Sequence, residues 1–450
     1  MNTTNKLTEG PILKNFLWFI IPIIITGFLQ QFYNAADTMI VGKFDGGTAL
    51  AAVGSTSSLI NLIITFFNGL SIGTNVLCAK LFGAGDTKGI NRSLHTSILL
   101  GIILGVPLMA VGIFGSRYFL NLMGTPDNVI ESSVLYMKIY FIGVPTTLIY
   151  NFAASILRAS GDTKRPLIIL AVSGILNIIL NIICVVGLGW GVAGVAIGTV
   201  ASQIASAILI LMIFVRNESG YRLKFSHLRL YGKELKDILS VGVPTGINGI
   251  LFSLSNVFIQ SAINSFGKDT MAAHSIAWNY MCFSFLIVTA GEQGIVCFVG
   301  QNIGAKKYQR LPKVVNIGVI TTAILTVIFT TFVIWQGRPL LGIFTNDPNI
   351  VEIGMVQLYT AISVYVLYVA GVAYGGALRG MGKSMLPTAI NIIGICVVRV
   401  GWITLIWPLN PTLEMVYYSF PVTWIASGIP MWIAYMAVKR KFLKNHKNEV

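Results

Sequence analysis

From Leu13 to the final lysines, apolar runs of roughly 20 residues follow one another with only short polar breaks. As a helix each run is long enough to cross a hydrocarbon core of about 30 Å. Twelve spans are read, at about 13–39, 50–77, 94–115, 133–157, 166–187, 191–214, 237–263, 272–300, 315–335, 355–378, 387–407 and 415–437. The runs are continuously apolar rather than alternating, which selects helices over a barrel. Only 10% of the residues are charged, against about 25% in an ordinary soluble domain. The fold class expected is therefore all-α integral membrane. The leading MNTTNKLTEGPILK carries few charges, and the apolar stretch after it is too long for a signal peptide, so this segment is expected to stay attached.

Of the 31 lysines and arginines, those between alternate spans cluster on one side. With the N-terminus inside, only Lys43, Arg117, Lys138, Lys268 and Arg338 fall outside, and Arg399 lies within a span. The positive-inside rule then makes this a multi-pass protein of the cytoplasmic membrane with both termini cytoplasmic. The net charge of +15 reads as topology and contact with anionic membrane lipids. A nucleic-acid surface would need that charge gathered on a soluble face, so no nucleic-acid partner is expected. Cys78, Cys184, Cys282, Cys297 and Cys396 all lie in spans without CxxC spacing, which indicates packing rather than disulfides or zinc.

The chain repeats itself. LRASGDTKRP at Leu157 returns as LRGMGKSMLP at Leu378, an offset of 221 residues. The same offset aligns Gly73 with Gly294, Gly83-Ala84 with Gly304-Ala305, Arg117 with Arg338, Glu131 with Glu352 and Arg158 with Arg379. One residue of slack brings Pro22 onto Pro244. Six spans per half give both halves one orientation in the membrane, so a pseudo-twofold axis along the membrane normal is expected. Residues 1–215 form an N-terminal six-helix lobe, 216–236 a cytoplasmic linker, and 237–450 a C-terminal six-helix lobe with a basic tail. Arg158 and Arg379 are read as caps at the ends of spans four and ten.

PIIITGFLQQFYNAADTMIVGKFDGGTALAAVG, KLFGAGD, LRASGDTKRP and GWGVAGVAIGTVASQ, with the later echoes QNIGA and LRGMGKSMLP, resemble the multidrug and toxic compound extrusion (MATE) transporters over essentially the whole chain. The resemblance implies two six-helix lobes around a central cavity, and an antiporter that moves organic cations outward against an inward flow of Na⁺ or H⁺. It implies no enzyme activity and no cofactor beyond that transported ion. A functional monomer is expected.

An ionisable residue inside a span is a functional-site hypothesis by default. Three fall clearly inside: Asp37, Glu292 and Arg399. Asp37 lies about 36 Å along span one, in the outer half of the bilayer, where it is either an interfacial carboxylate or a functional one. In the family the matching aspartate belongs to an N-lobe cation site together with an Asn and an Asp four apart in span five and a Thr in span six. Those positions read Asn177, Asn181 and Thr199 here, so the second acid is an amide. Amide and hydroxyl oxygens still suit a hard cation, and one formal charge suits either Na⁺ or H⁺. Glu292 and Arg399 lie roughly 12 and 18 Å deep. They are read either as a salt bridge or as groups that bind substrate or proton. The acids that one branch of the family carries in spans seven and ten are replaced by Phe252-Ser253 and Tyr368.

Phe32, Tyr33, Trp278, Tyr280, Tyr365 and Tyr368 are candidate stacking surfaces for small organic cations, although aromatics also serve packing and interfaces. His95 and His274 are read as interfacial or capping. The competing function is a flippase for a lipid-linked saccharide precursor from the same broader superfamily. An intramembrane enzyme would need a nucleophile, acid pair or metal cluster at workable spacing, and the spans contain none.

Overall fold

The computed structural model describes residues 7–44, 47–218 and 220–446. Lys6 and Lys447, which the topology reading puts on the cytoplasmic side, lie outside the described residues. Among the described residues every regular element is helical. Ten long or medium helices and six short ones follow in order: α1 Ile12–Phe44, α2 Gly47–Ala84, α3 Thr87–Leu122, α4 Asp127–Ala159, α5 Lys164–Asn181, α6 Gly191–Val215, α7 Gly232–Asn264, α8 Lys268–Gly304, α9 Leu311–Trp335, α10 Gly337–Gly342, α11 Pro348–Gln357, α12 Val366–Gly380, α13 Met385–Asn391, α14 Val398–Gly401, α15 Leu413–Tyr417 and α16 Ser419–Asn445. Among the described residues eleven helices are long and apolar enough to cross a membrane, or twelve when a bent pair is counted as one span. That pair, Pro348–Ile362 and Val366–Gly380, turns by 45°. The single run expected at about 355–378 is thus two pieces joined through a π-helical turn, Leu358–Ile362. The eleventh span is likewise interrupted by π-helical stretches at Ile392–Val397 and Trp402–Ile406.

The chain divides into two compact units. One holds Ile25–Gly242 and the other holds residues 7–24 with residues 243–446. The divisions do not fall at the polar linker. They fall beside Pro22 in α1 and Pro244 in α7, so the opening part of each helix belongs with the other half's helices.

In the first unit α3 and α4 pack closely, because Gly105 and Gly112 of α3 face Pro145 and Phe141 of α4. Small residues at such seams let helix backbones approach where lipid supplies no hydrophobic drive. His95 is buried rather than interfacial. Its Nδ1 lies 2.8 Å from Asn91 O and its Nε2 accepts from the Lys224 amide at 3.2 Å, which ties the linker to α3.

In the second unit Phe16 and Phe19 of α1 meet Phe298 of α8 edge-on, with ring centroids 5.5 and 5.9 Å apart. The residues ahead of α1 are held to the α8 end of the same unit: Asn302 Nδ2 donates to Leu7 O at 3.1 Å, Lys307 pairs with Glu9 at 3.1 Å, and Arg310 donates to Gly10 O at 2.6 Å.

The duplication is visible in contacts as well as letters. Arg117 pairs with Glu131 in one unit, and Arg338 with Glu352, at 2.6 Å, in the other. Gly161 and Gly382 both turn with positive φ, +93° and +81°. Gly73 lies against Ile238 and Gly242 of α7, and Gly294 lies against Phe16 and Ile20 of α1. Those two pairs are themselves offset partners once the one-residue slack is allowed. A Cβ at Gly73 would sit 2.9 Å from the Gly242 nitrogen, whereas one at Gly54 of the same helix would meet nothing within 4 Å. Gly73→Val should therefore lower stability by about 1–3 kcal/mol through overpacking, and Gly54→Val should lose far less. Melting of the detergent-solubilised variants checks this; equal midpoints would contradict the packing assignment.

Candidate functional site

Asp37, Asn177, Asn181 and Thr199 converge in the first unit. Asn177 and Asn181 are one turn apart on α5 and face the same way; both are buried. The helix passes into a π-helical stretch, Ile182–Gly187, immediately after Asn181, a widening often found at functional sites. Gly198 on α6 leaves room for the Asn181 amide, against which any side chain there would collide.

Asn181 Nδ2 donates to Asp37 Oδ1 at 2.6 Å and lies 3.5 Å from Asn177 Oδ1. Thr199 Oγ1 is 3.4 Å from Asp37 Oδ2 and 3.4 Å from Asn177 Nδ2, but only 2.9 Å from Val195 O. The hydroxyl has one proton, and the backbone carbonyl is the nearer acceptor, so Asn181 is the one short donor to Asp37. Asn181 Oδ1, in contrast, is buried with no hydrogen-bond partner. The cluster offers carboxylate, amide and hydroxyl oxygens to a hard cation, or one carboxylate to a proton. Tyr33 is half-buried here, with its ring against Gly174 and its hydroxyl donating to Ala171 O at 3.3 Å. Phe32 is exposed.

The second unit corrects the expected salt bridge. Glu292 is joined to Arg379, not to Arg399. Arg379, read as a cap, is 4% exposed. The reason lies in helix geometry, since side chains lean toward the N-terminus of their helix. From the end of α12, Arg379 therefore folds back over Gly375, while Gly376 lies against Glu292. Similar depth permits a Glu292–Arg399 salt bridge, but the direction in which Arg379 leans gives Glu292 a different partner.

Arg399 is 0% exposed. It donates to Asn256 Oδ1 at 2.6 Å, Ser255 Oγ at 3.2 Å and Thr423 Oγ1 at 3.3 Å. Its guanidinium carbon stands 5.4 Å from the Phe252 ring centre and 5.1 Å from that of Phe420. The candidate aromatics Tyr365 and Tyr368 continue this packing through Trp424, at 4.9 and 5.7 Å between ring centres. Trp278 reaches Phe420 at 6.3 Å. Tyr280 instead donates to Leu340 O at 2.7 Å. His274 is buried, not interfacial, and its Nδ1 lies 2.9 Å from Gln357 Oε1. Sequence reading missed Asn256, Phe420 and Gln357. The polar SLSN stretch of span seven was the available signal for Asn256.

Comparison with known proteins agrees with this architecture. The sequence profile described as MatE matches residues 22–183 and again residues 244–403, once in each half. YoeA of Bacillus subtilis, a probable multidrug resistance protein, is 29% identical over 451 residues, covering 97% of this chain and 96% of that protein. NorM of Thermotoga maritima, also a probable multidrug resistance protein, is 28% identical over 402 residues, covering 86% and 84%. Among solved structures, an outward-facing multidrug resistance transporter of the MATE family superposes with a TM-score of 0.91 at 23% identity over 99% of both chains, and a MATE protein in complex with MaL6 superposes with 0.92 at 22% identity over 99% and 100%. Matched by the profile in both halves, and sharing its fold with these structures over nearly its whole length, the chain belongs to the MatE family.

Proposed function

We propose that this chain exports organic, mostly cationic compounds by alternating access against an inward flow of Na⁺ or H⁺, with Asp37 as the coupling carboxylate. The observation that carries the reading is the short contact between Asp37 and the Asn181 amide, in a cluster whose other members cannot change charge. The names of relatives support the export part, since YoeA and NorM are called probable multidrug resistance proteins.

The chemistry follows from the amide. While Asp37 is charged it accepts from Asn181 Nδ2, and Asn181 Oδ1 goes without a partner. A proton on Asp37, or a Na⁺ beside it, reverses the demand: the site now needs an acceptor. The two ends of an amide are similar in size and opposite in role, so a half-turn of Asn181 turns its orphan oxygen to the loaded site. Loading therefore replaces one hydrogen-bond arrangement by another, and a difference of this kind between two states is what lets an ion shift their populations.

Everted membrane vesicles test the reading. A cationic dye should accumulate in vesicles whose lumen is made Na⁺-rich or acidic, each gradient imposed alone. Indifference to both gradients would overturn it. One observation favours the second reading, a flippase for a lipid-linked saccharide precursor: Arg399 has no acidic partner among the described residues. Polyprenyl pyrophosphate that binds the solubilised protein and displaces the dye would favour that reading.

A further inference from the structure

The second unit holds a charge that the export mechanism above leaves unused. No ion pair among the described residues includes Arg399, and its Nε has no hydrogen-bond partner although it is buried. Three neutral side chains and two ring faces surround it, so the guanidinium keeps its full positive charge inside the membrane-spanning part of the protein. Such a charge is expensive and ordinarily paired. The ring faces of Phe252 and Phe420 are turned to this cation of the protein's own.

A cleft with about 180 Å³ of space opens beside it, lined by Asn256, Ile259, Gln260, His274, Ser275 and Trp278. Asn256 belongs to both places. Its Oδ1 is held by Arg399 at 2.6 Å, while its Nδ2 has no protein partner among the described residues. An amide whose oxygen is bound to a guanidinium is polarised, and its N–H groups become better donors. The cleft therefore combines amide and hydroxyl donors, an indole face and a positive charge directly behind them.

We propose that this cleft is a subsite for the carboxylate of an amphoteric aromatic cargo. The carboxylate accepts from Asn256 Nδ2 and supplies the countercharge that Arg399 lacks, while the rings of the cargo lie against Trp278. Arg399 is here a positioning residue that acts through Asn256. The proposal rests on the drug-export reading and adds to it a place in the second unit for a cargo's carboxylate.

Two dyes with the same rings decide it: rhodamine 110, a zwitterion with a free carboxylate, and rhodamine 123, its cationic methyl ester. Binding to the solubilised full-length protein is read by fluorescence polarisation. Arg399→Gln should weaken rhodamine 110 by roughly tenfold, the scale of one charge-assisted contact, and leave rhodamine 123 within about twofold. Asn256→Asp provides a variant that keeps the fold, because it gives Arg399 an internal acid. It should abolish the preference for rhodamine 110 without lowering the melting point, an effect that a purely structural role for Arg399 would not produce. Unchanged rhodamine 110 affinity in Asn256→Asp, with rhodamine 123 still bound, would overturn the subsite and leave the export reading standing. Binding of neither dye by the wild type would overturn both.

Discussion

Asp37→Asn should yield a folded, membrane-inserted protein that has lost ion-driven export. The substitution is nearly isosteric and removes a charge that is costly within a membrane, by at least about 2.5–3.5 kcal/mol at a helix centre, so melting should stay at or above the wild-type value. Function should fall to background, because Asn177, Asn181 and Thr199 can offer oxygens but cannot gain or lose charge. Dye efflux from cells at matched expression is the measurement, with growth in a cationic drug as a second readout. Wild-type efflux would move the coupling site elsewhere, Glu292 being the next candidate. Asn181→Asp probes the same contact from the other side. It sets a second carboxylate within hydrogen-bond reach of Asp37, which raises the affinity of the pair for a proton or metal cation. It should hold the coupling ion more tightly and slow turnover, since release requires the two conformations to differ in affinity.

The second large effect is on stability. Glu292→Gln strips Arg379 of its acid while the guanidinium stays buried. Breaking one member of such a pair costs about 3–5 kcal/mol, mostly from the charge left behind. Adding Arg379→Gln should recover much of that loss, whereas adding Arg399→Gln should not. The double-mutant comparison in detergent melts separates these cases. Equal recovery by the two second changes would mean that the Glu292–Arg379 contact is not the one that matters. Recovered stability in Glu292→Gln/Arg379→Gln without recovered export would assign the pair a direct part in transport.

What sequence reasoning could and could not see divides along physical lines. Span positions were legible because burial in lipid is written in composition, and the duplication was legible because Gly73, Gly161 and their partners serve backbone needs that tolerate little change. The bend between α11 and α12 was not, since LYTAISVYVLYV reads as unbroken apolar helix. Asn177 and Asn181 share a face by periodicity alone, but their meeting with Asp37, 144 residues away from Asn181, came only from the family resemblance. Glu292 and Arg399 were matched by depth, which ignores azimuth and side-chain lean. Arg379 sits at a helix end, and its reach back toward the middle of α12 depends on Gly375 and Gly376. The aromatic residues suggested for cargo were named individually, and no pattern in the letters showed that Tyr365, Tyr368 and Trp278 pack on Trp424 and Phe420, beside an arginine faced by Phe252 and Phe420.

The most direct test of the central claim is the steady-state dye ratio across purified, reconstituted proteoliposomes held at zero membrane potential while the coupling-ion gradient is varied. A tenfold ion gradient stores about 1.4 kcal/mol. If the single charge of Asp37 couples one ion to one monovalent cationic dye, that gradient should drive a dye ratio approaching tenfold, and reversing it should reverse the ratio. Asp37→Asn should stay near unity under every gradient. A wild-type ratio fixed at one, or a tenfold ratio retained by Asp37→Asn, would contradict the account.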